Sequence, residues 1–160
     1  MPVWNEVKTQ ADIEDLMRQY GGFHDSCLVS LSYQTGESVD PEGAMGFGGP
    51  EDHVLSMLFH SQWEPRPLLL RFTGVRRFSA GGWQDRYSSD IFECSLNIYT
   101  DLITGRDAPL IVWTDNPGFS PKTPDPRRVL DEPYTTWVIA SALQWRWHPQ
   151  EKAEPPTPQL

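Results

Sequence analysis

Two cysteines, Cys27 and Cys94, are all that 160 residues contain, too few for a disulfide framework. Cys-x-x-Cys and His-x-x-x-His spacings are absent, so no zinc site of standard spacing is expected. There is no P-loop and no Gly-x-Ser-x-Gly. Gly46-Phe47-Gly48-Gly49 lacks the third glycine of a dinucleotide fingerprint, and no helical pattern follows it. The sequence therefore points to no cofactor and no metal. Basic residues are scarce as well: 13 Lys and Arg stand against 22 Asp and Glu, a net charge of −9. Nucleic acid is excluded as a partner, because phosphate binding needs a cationic stripe and the densest basic pieces are Arg76–Arg77 and Arg127–Arg128. No apolar run approaches the roughly 18 residues of a membrane helix. The opening Met1-Pro2-Val3-Trp4-Asn5-Glu6 has no charged-then-apolar signal segment. A cytoplasmic protein of bacterial type, with no membrane partner, is the expectation.

What is abundant is aromatic: 7 Trp, 7 Phe and 5 Tyr in a chain only 38% hydrophobic. That combination fits a folded core with long polar loops. Ile13, Leu16, Met17 and Tyr20 follow i, i+3, i+4, i+7, an amphipathic helix of about three turns. Thr9 is its N-cap, Asp12 sits in its acidic first turn, and Gly21-Gly22 stops it. Everything after that alternates with period two. Phe23–Tyr33 reads as a half-buried strand with Phe23, Asp25, Cys27, Val29, Leu31 and Tyr33 on the apolar side. His53–Gln62 and Pro67–Val75 read as a hairpin turning at Trp63-Glu64-Pro65-Arg66. Asp90–Thr100 puts Phe92, Cys94, Leu96 and Ile98 inward. Leu110–Thr114 is a short apolar strand. Tyr134–Trp147 is a long one, with Trp137, Ile139, Leu143, Trp145 and Trp147 on a common face. No βαβ alternation exists. The predicted fold class is α+β, mainly antiparallel β: one N-terminal helix on a six- to seven-stranded bent sheet or sandwich. Residues 1–148 form one domain and 149–160 a Pro/Glu-rich tail. Three loops are long: an acidic, glycine-rich one at 35–52, one at 79–89 with Trp83 and Tyr87, and a proline-rich one at 115–133.

Several constellations are candidates for chemistry. His24-Asp25 is the sharpest, an acid–base or metal pair in type, although adjacent strand positions point to opposite faces. The structural alternative has Asp25 buried and satisfied by the Gly21-Gly22 turn or an Arg. His24 and His60 could meet across strands on a polar face. His53 and His60, seven apart, face opposite ways on a regular strand. The five carboxylates of the 35–52 loop do not follow a spaced calcium-loop pattern, which leaves a solvated mobile loop as the plainer reading. Cys27 and Cys94 read as small buried hydrophobes rather than nucleophiles. Trp63, Trp83, Tyr87 and Phe119 fall in turns or loops, where aromatics anchor partners or cap an open sheet end. The binding candidates are therefore His24, Asp25, His60, Trp63, Trp83 and Tyr87, with no catalytic residue and no metal ligand assigned.

The run Gly22-Phe23-His24-Asp25-Ser26-Cys27-Leu28-Val29 after a short helix, with the later Leu68-Leu69-Leu70-Arg71-Phe72-Thr73-Gly74-Val75, resembles small uncharacterised bacterial proteins. Over about residues 10–80 the pattern resembles immunity proteins of bacterial polymorphic toxin systems. The resemblance implies a compact β-rich cytoplasmic protein without catalysis of its own, which neutralises a toxin by binding it. A charge of −9 would steer a basic protein partner. The alternatives are a small enzyme or ligand-binding domain centred on His24, Asp25 and His60 with Glu93 nearby, and a self-associating subunit that pairs sheet edges as a homodimer.

Overall fold

A computed structural model describes residues 3–81, 89–122 and 135–149. The chain runs β1 (Asn5–Val7), α1 (Gln10–Gln19), β2 (Ser26–Gln34), β3 (Ser38–Val39), β4 (Met45–Gly46), β5 (Val54–Ser61), β6 (Leu68–Ser79), β7 (Asp90–Ile91), β8 (Ser95–Tyr99), β9 (Leu110–Thr114) and β10 (Trp137–Trp147). Seven strands form an antiparallel, strongly curled half-barrel in the order β7-β2-β5-β6-β10-β9-β8. On one edge β10 is shared: β9 pairs with residues 137–140 and β1 with residues 143–145. One N-terminal helix on a bent, mainly antiparallel sheet is the architecture expected from the alternation. No helix among the described residues is long and apolar enough to cross a membrane.

The helix starts where its capping residues dictate. Extended Thr9 accepts from Asp12 N at 3.2 Å, while the Asp12 carboxylate accepts from the Lys8 and Thr9 amides at 2.9 Å each. Such a box satisfies donors that the first turn leaves open. Ile13, Leu16 and Tyr20 are buried and join Phe23, Phe59, Phe72, Trp113 and Leu143 in one core inside the curl. Aromatic edges make its centre: Phe23 meets Tyr20 at 4.9 Å, Phe59 at 5.2 Å and Trp113 at 5.8 Å between ring centroids.

The curl comes from breaks in the alternation that period-two counting passes over. In β2, Leu28 pairs with Phe59 but Ser30 with Leu58, so Val29 is an inserted residue and the inward phase flips. Ser26 and Leu28 share the inner face with Ser61 and Phe59, and Leu31 and Tyr33 do so with Met57 and Leu55. Cys27, expected on the apolar side, stands outward opposite His60. In β6 the buried positions run Leu68, Leu70, Phe72 and then Val75. In β10 they run Val138, Ala140 and then Leu143, Trp145, so no single face carries Trp137, Ile139, Leu143, Trp145 and Trp147 together. Both shifts meet at Gly74, whose φ is +63° and whose neighbours Glu51 and Ser141 leave no room for a Cβ.

Other expectations change too. The Asp90–Thr100 strand is two pieces, β7 and β8, and in the gap Phe92 turns outward, 78% exposed. The 35–52 loop is built rather than unstructured. It folds into the β3–β4 ribbon, and three of its five carboxylates are occupied separately. Asp40 accepts from the Glu42 and Ala44 amides, Asp52 from the Gly49 amide, and Glu51 pairs with Arg76 at 3.4 Å. Phe119 stacks on Trp137 at 5.1 Å. Of the expected tail only Pro149 falls within the described residues.

Candidate functional site

The site forms where the helix hands over to the sheet. After Tyr20 the backbone turns left-handed at Gly21 (φ +58°), Gly22 (+64°), Phe23 (+65°) and, past His24, Asp25 (+56°). For Phe23 this conformation is uncommon and costs free energy. Its ring, fully buried among Tyr20, Phe59 and Trp113, holds the backbone there. Hydrogen bonds fasten the rest. Asp25 N donates to Ile91 O at 3.1 Å, Gln62 N donates to Asp25 O at 2.9 Å, and Ser26 Oγ donates to Phe23 O.

The consequence overturns two readings of His24 and Asp25. The strand does not begin at Phe23 but at Ser26, so neither residue obeys strand alternation. Their side chains converge, His24 Nδ1 and Asp25 Oδ2 being 3.0 Å apart. Asp25 is not buried either: both side chains are about half exposed, at 51% and 53%. The left-handed Asp25 supplies this geometry, since it breaks the pleat that would send neighbouring side chains apart.

Two aromatics flank the pair. The Trp63 indole N–H donates to His24 O at 3.2 Å, and the Trp63 ring covers Gly21 and tilts against Tyr20 at 6.0 Å. The His24 ring lies against Phe92, with centroids 5.1 Å apart. Trp63 stays 49% exposed. The result is a solvent-facing patch of imidazole, carboxylate, indole and phenyl on a rigidly pinned turn. Of the residues expected to bind, His24, Asp25 and Trp63 come together. His60 lies on the outer face of β5 opposite Cys27, half-buried. Trp83 and Tyr87 lie outside the described residues. Phe92 was missed because alternation with Cys94 and Leu96 assigns it inward.

Elsewhere Tyr33, His53 and Cys94 are occupied structurally. Tyr33 Oη and His53 Nδ1 share a hydrogen bond of 2.7 Å. Cys94 is buried beside Met17 Sδ at 3.8 Å, and burial raises its thiol pKa well above the ordinary value. Among the described residues no group of three or more His, Cys, Asp and Glu side chains could hold a metal ion. Comparison with family models, with curated proteins and with solved structures finds no match.

Proposed function

We propose that this is a non-catalytic cytoplasmic binding protein that docks a basic protein partner through the His24–Asp25–Trp63–Phe92 turn, in the manner of an immunity protein that neutralises a toxin. The carrying observation is Phe92, 78% exposed against the His24 ring, and the exposed Trp63 hydrogen-bonded to the His24 carbonyl, both around a turn fastened by three hydrogen bonds and a buried Phe23 anchor. Exposed aromatics on a rigid element lose little conformational entropy on binding and make typical interface anchors. Asp25 beside them, in a chain of charge −9, would favour a cationic counterpart. The test is titration calorimetry against the product of the adjacent gene. Phe92→Ala and Trp63→Ala should each weaken association at least about tenfold, the size of a modest anchor residue. Rising salt should weaken it further. Affinity that ignores both substitutions removes this turn as the interface.

A second reading rests on the 3.0 Å His24–Asp25 contact, which resembles the orientation of a general base by a carboxylate. A small enzyme built on it would lose turnover on Asp25→Asn while keeping ligand affinity. The docking reading instead predicts a change in affinity.

A further inference from the structure

The outer face of the sheet, away from the turn, carries a feature that the docking reading does not use. Five strands align in register there: Glu6 of β1 lies opposite Gln144 of β10, Gln144 opposite Arg71 of β6, Arg71 opposite Ser56 of β5, and Ser56 opposite Ser32 of β2. The next row brings Thr73, Val54 and Gln34 alongside. Short side chains between taller ones leave a depression of about 360 Å3 lined by Ser32, Gln34, Val54, Ser56, Arg71 and Thr73.

Its charge is unusual for this chain. Acids outnumber bases, and Arg18, Arg66 and Arg76 each pair with a carboxylate. Arg71 forms no ion pair among the described residues. One of its Nη atoms donates to Gln144 Oε1, and its Nε is buried without a hydrogen-bond partner among the described residues. The acid on its row, Glu6, is taken by Lys8 Nζ at 2.7 Å. A second cation, Arg146, shares its aromatic neighbour: the guanidinium carbons of Arg71 and Arg146 lie 4.1 and 4.6 Å from the centroid of the same Trp4 ring. Arg146 Nε also lacks a partner among the described residues. The ring also restrains the long Arg71 side chain, so less entropy is lost when the guanidinium binds.

We infer that this depression is a binding site for a tetrahedral oxyanion, phosphate or the phosphoryl group of a larger molecule, anchored by Arg71. The hydroxyls of Ser32, Ser56 and Thr73 can donate from the floor, and the Gln34 amide can do so at the rim. A guanidinium with several hydroxyl donors matches the many lone pairs of a phosphate dianion better than the fewer ones of a carboxylate.

The test is titration of the full chain with inorganic phosphate, followed by 15N–1H NMR at ionic strength matched with sodium chloride. Saturable shifts are expected at the Trp4 indole N–H and the Ser56 and Thr73 amides. Arg71→Gln should weaken phosphate at least about tenfold, Arg71→Lys should restore part of it, and Arg146→Gln should weaken it less. Circular dichroism checks that each variant folds, and Ser56→Val serves as the blocking variant if Arg71→Gln does not. Titration with methyl phosphate separates the sources. Equal or tighter binding than inorganic phosphate assigns the site to a phosphoryl group, and weaker binding assigns it to the free ion. A response no greater than that to chloride overturns the inference. So does binding unchanged in the variants, or acetate binding as tightly as phosphate.

Discussion

Gly21 and Gly22 share a backbone conformation, with φ values of +58° and +64°, but not a neighbourhood. A Cβ added to Gly22 would meet nothing within 4 Å. One added to Gly21 would fall 2.7 Å from Trp63 Cζ2 and 3.2 Å from Cε2. Replacing either glycine by alanine costs about 1–2 kcal/mol for the left-handed backbone, partly offset by roughly 0.4–1 kcal/mol from a stiffer unfolded chain. Gly22→Ala should therefore lose about 1 kcal/mol. Gly21→Ala must in addition displace the Trp63 ring. The indole hydrogen bond to His24 O then goes, worth roughly 0.5–1.5 kcal/mol, and so does the Tyr20 contact, worth a similar amount. Gly21→Ala is expected to cost about 1–3 kcal/mol more than its neighbour. Urea unfolding followed by circular dichroism measures both. A Trp63→Ala background completes the cycle: with the indole gone, the two glycine substitutions should agree within about 0.5 kcal/mol. Equal costs in the parent chain, or a gap that survives without Trp63, would refute the view that Trp63 is fastened over this turn.

Tyr20→Phe should be neutral or stabilising by up to about 2 kcal/mol, because the buried hydroxyl has no hydrogen-bond partner among the described residues; a clear loss of stability in thermal unfolding would contradict that. Burial raises the pKa of the Cys94 thiol and of the Tyr20 phenol, so each stays protonated in the fold while its unfolded counterpart ionises. Their contribution is complete below the unfolded values and is lost upward from about pH 8.5, as the unfolded thiol and then the phenol lose protons. The urea midpoint should therefore fall from that pH, and less steeply in Cys94→Ala. Gly74→Ala should cost about 2–4 kcal/mol, since strain at φ +63° adds to overlap with Ser141 Cβ, 2.7 Å from the new methyl, on the neighbouring strand, less the gain from a stiffer unfolded chain. A Gly74→Ala protein of parental stability would show that the bend can relax.

Local chemistry was legible residue by residue. Thr9 and Asp12 announce the start of α1 because a short oxygen three residues from an acid can satisfy open amides. Gly21 and Gly22 announce its end. The alternation of Leu55, Met57 and Phe59 against Val54, Ser56 and Leu58 marks β5, which has no bulge and keeps one phase from end to end. The same reasoning failed at Cys27, at Phe92 and along β10. One inserted residue at Val29, the gap between β7 and β8, and the Gly74–Ser141 bend each reverse the phase of the residues beyond them. His24 and Asp25 were misread for a related reason: a single left-handed residue turns divergent neighbours into a contact.

Sequence alone determined that this is one capped helix against an antiparallel sheet, because capping and periodicity are properties of residues within a few positions of one another. Only the tertiary structure decided how that sheet curls, which aromatics remain outside, and that Arg71 and Arg146 share Trp4. Those outcomes depend on pairings between strands far apart in the chain, whose register no local pattern encodes.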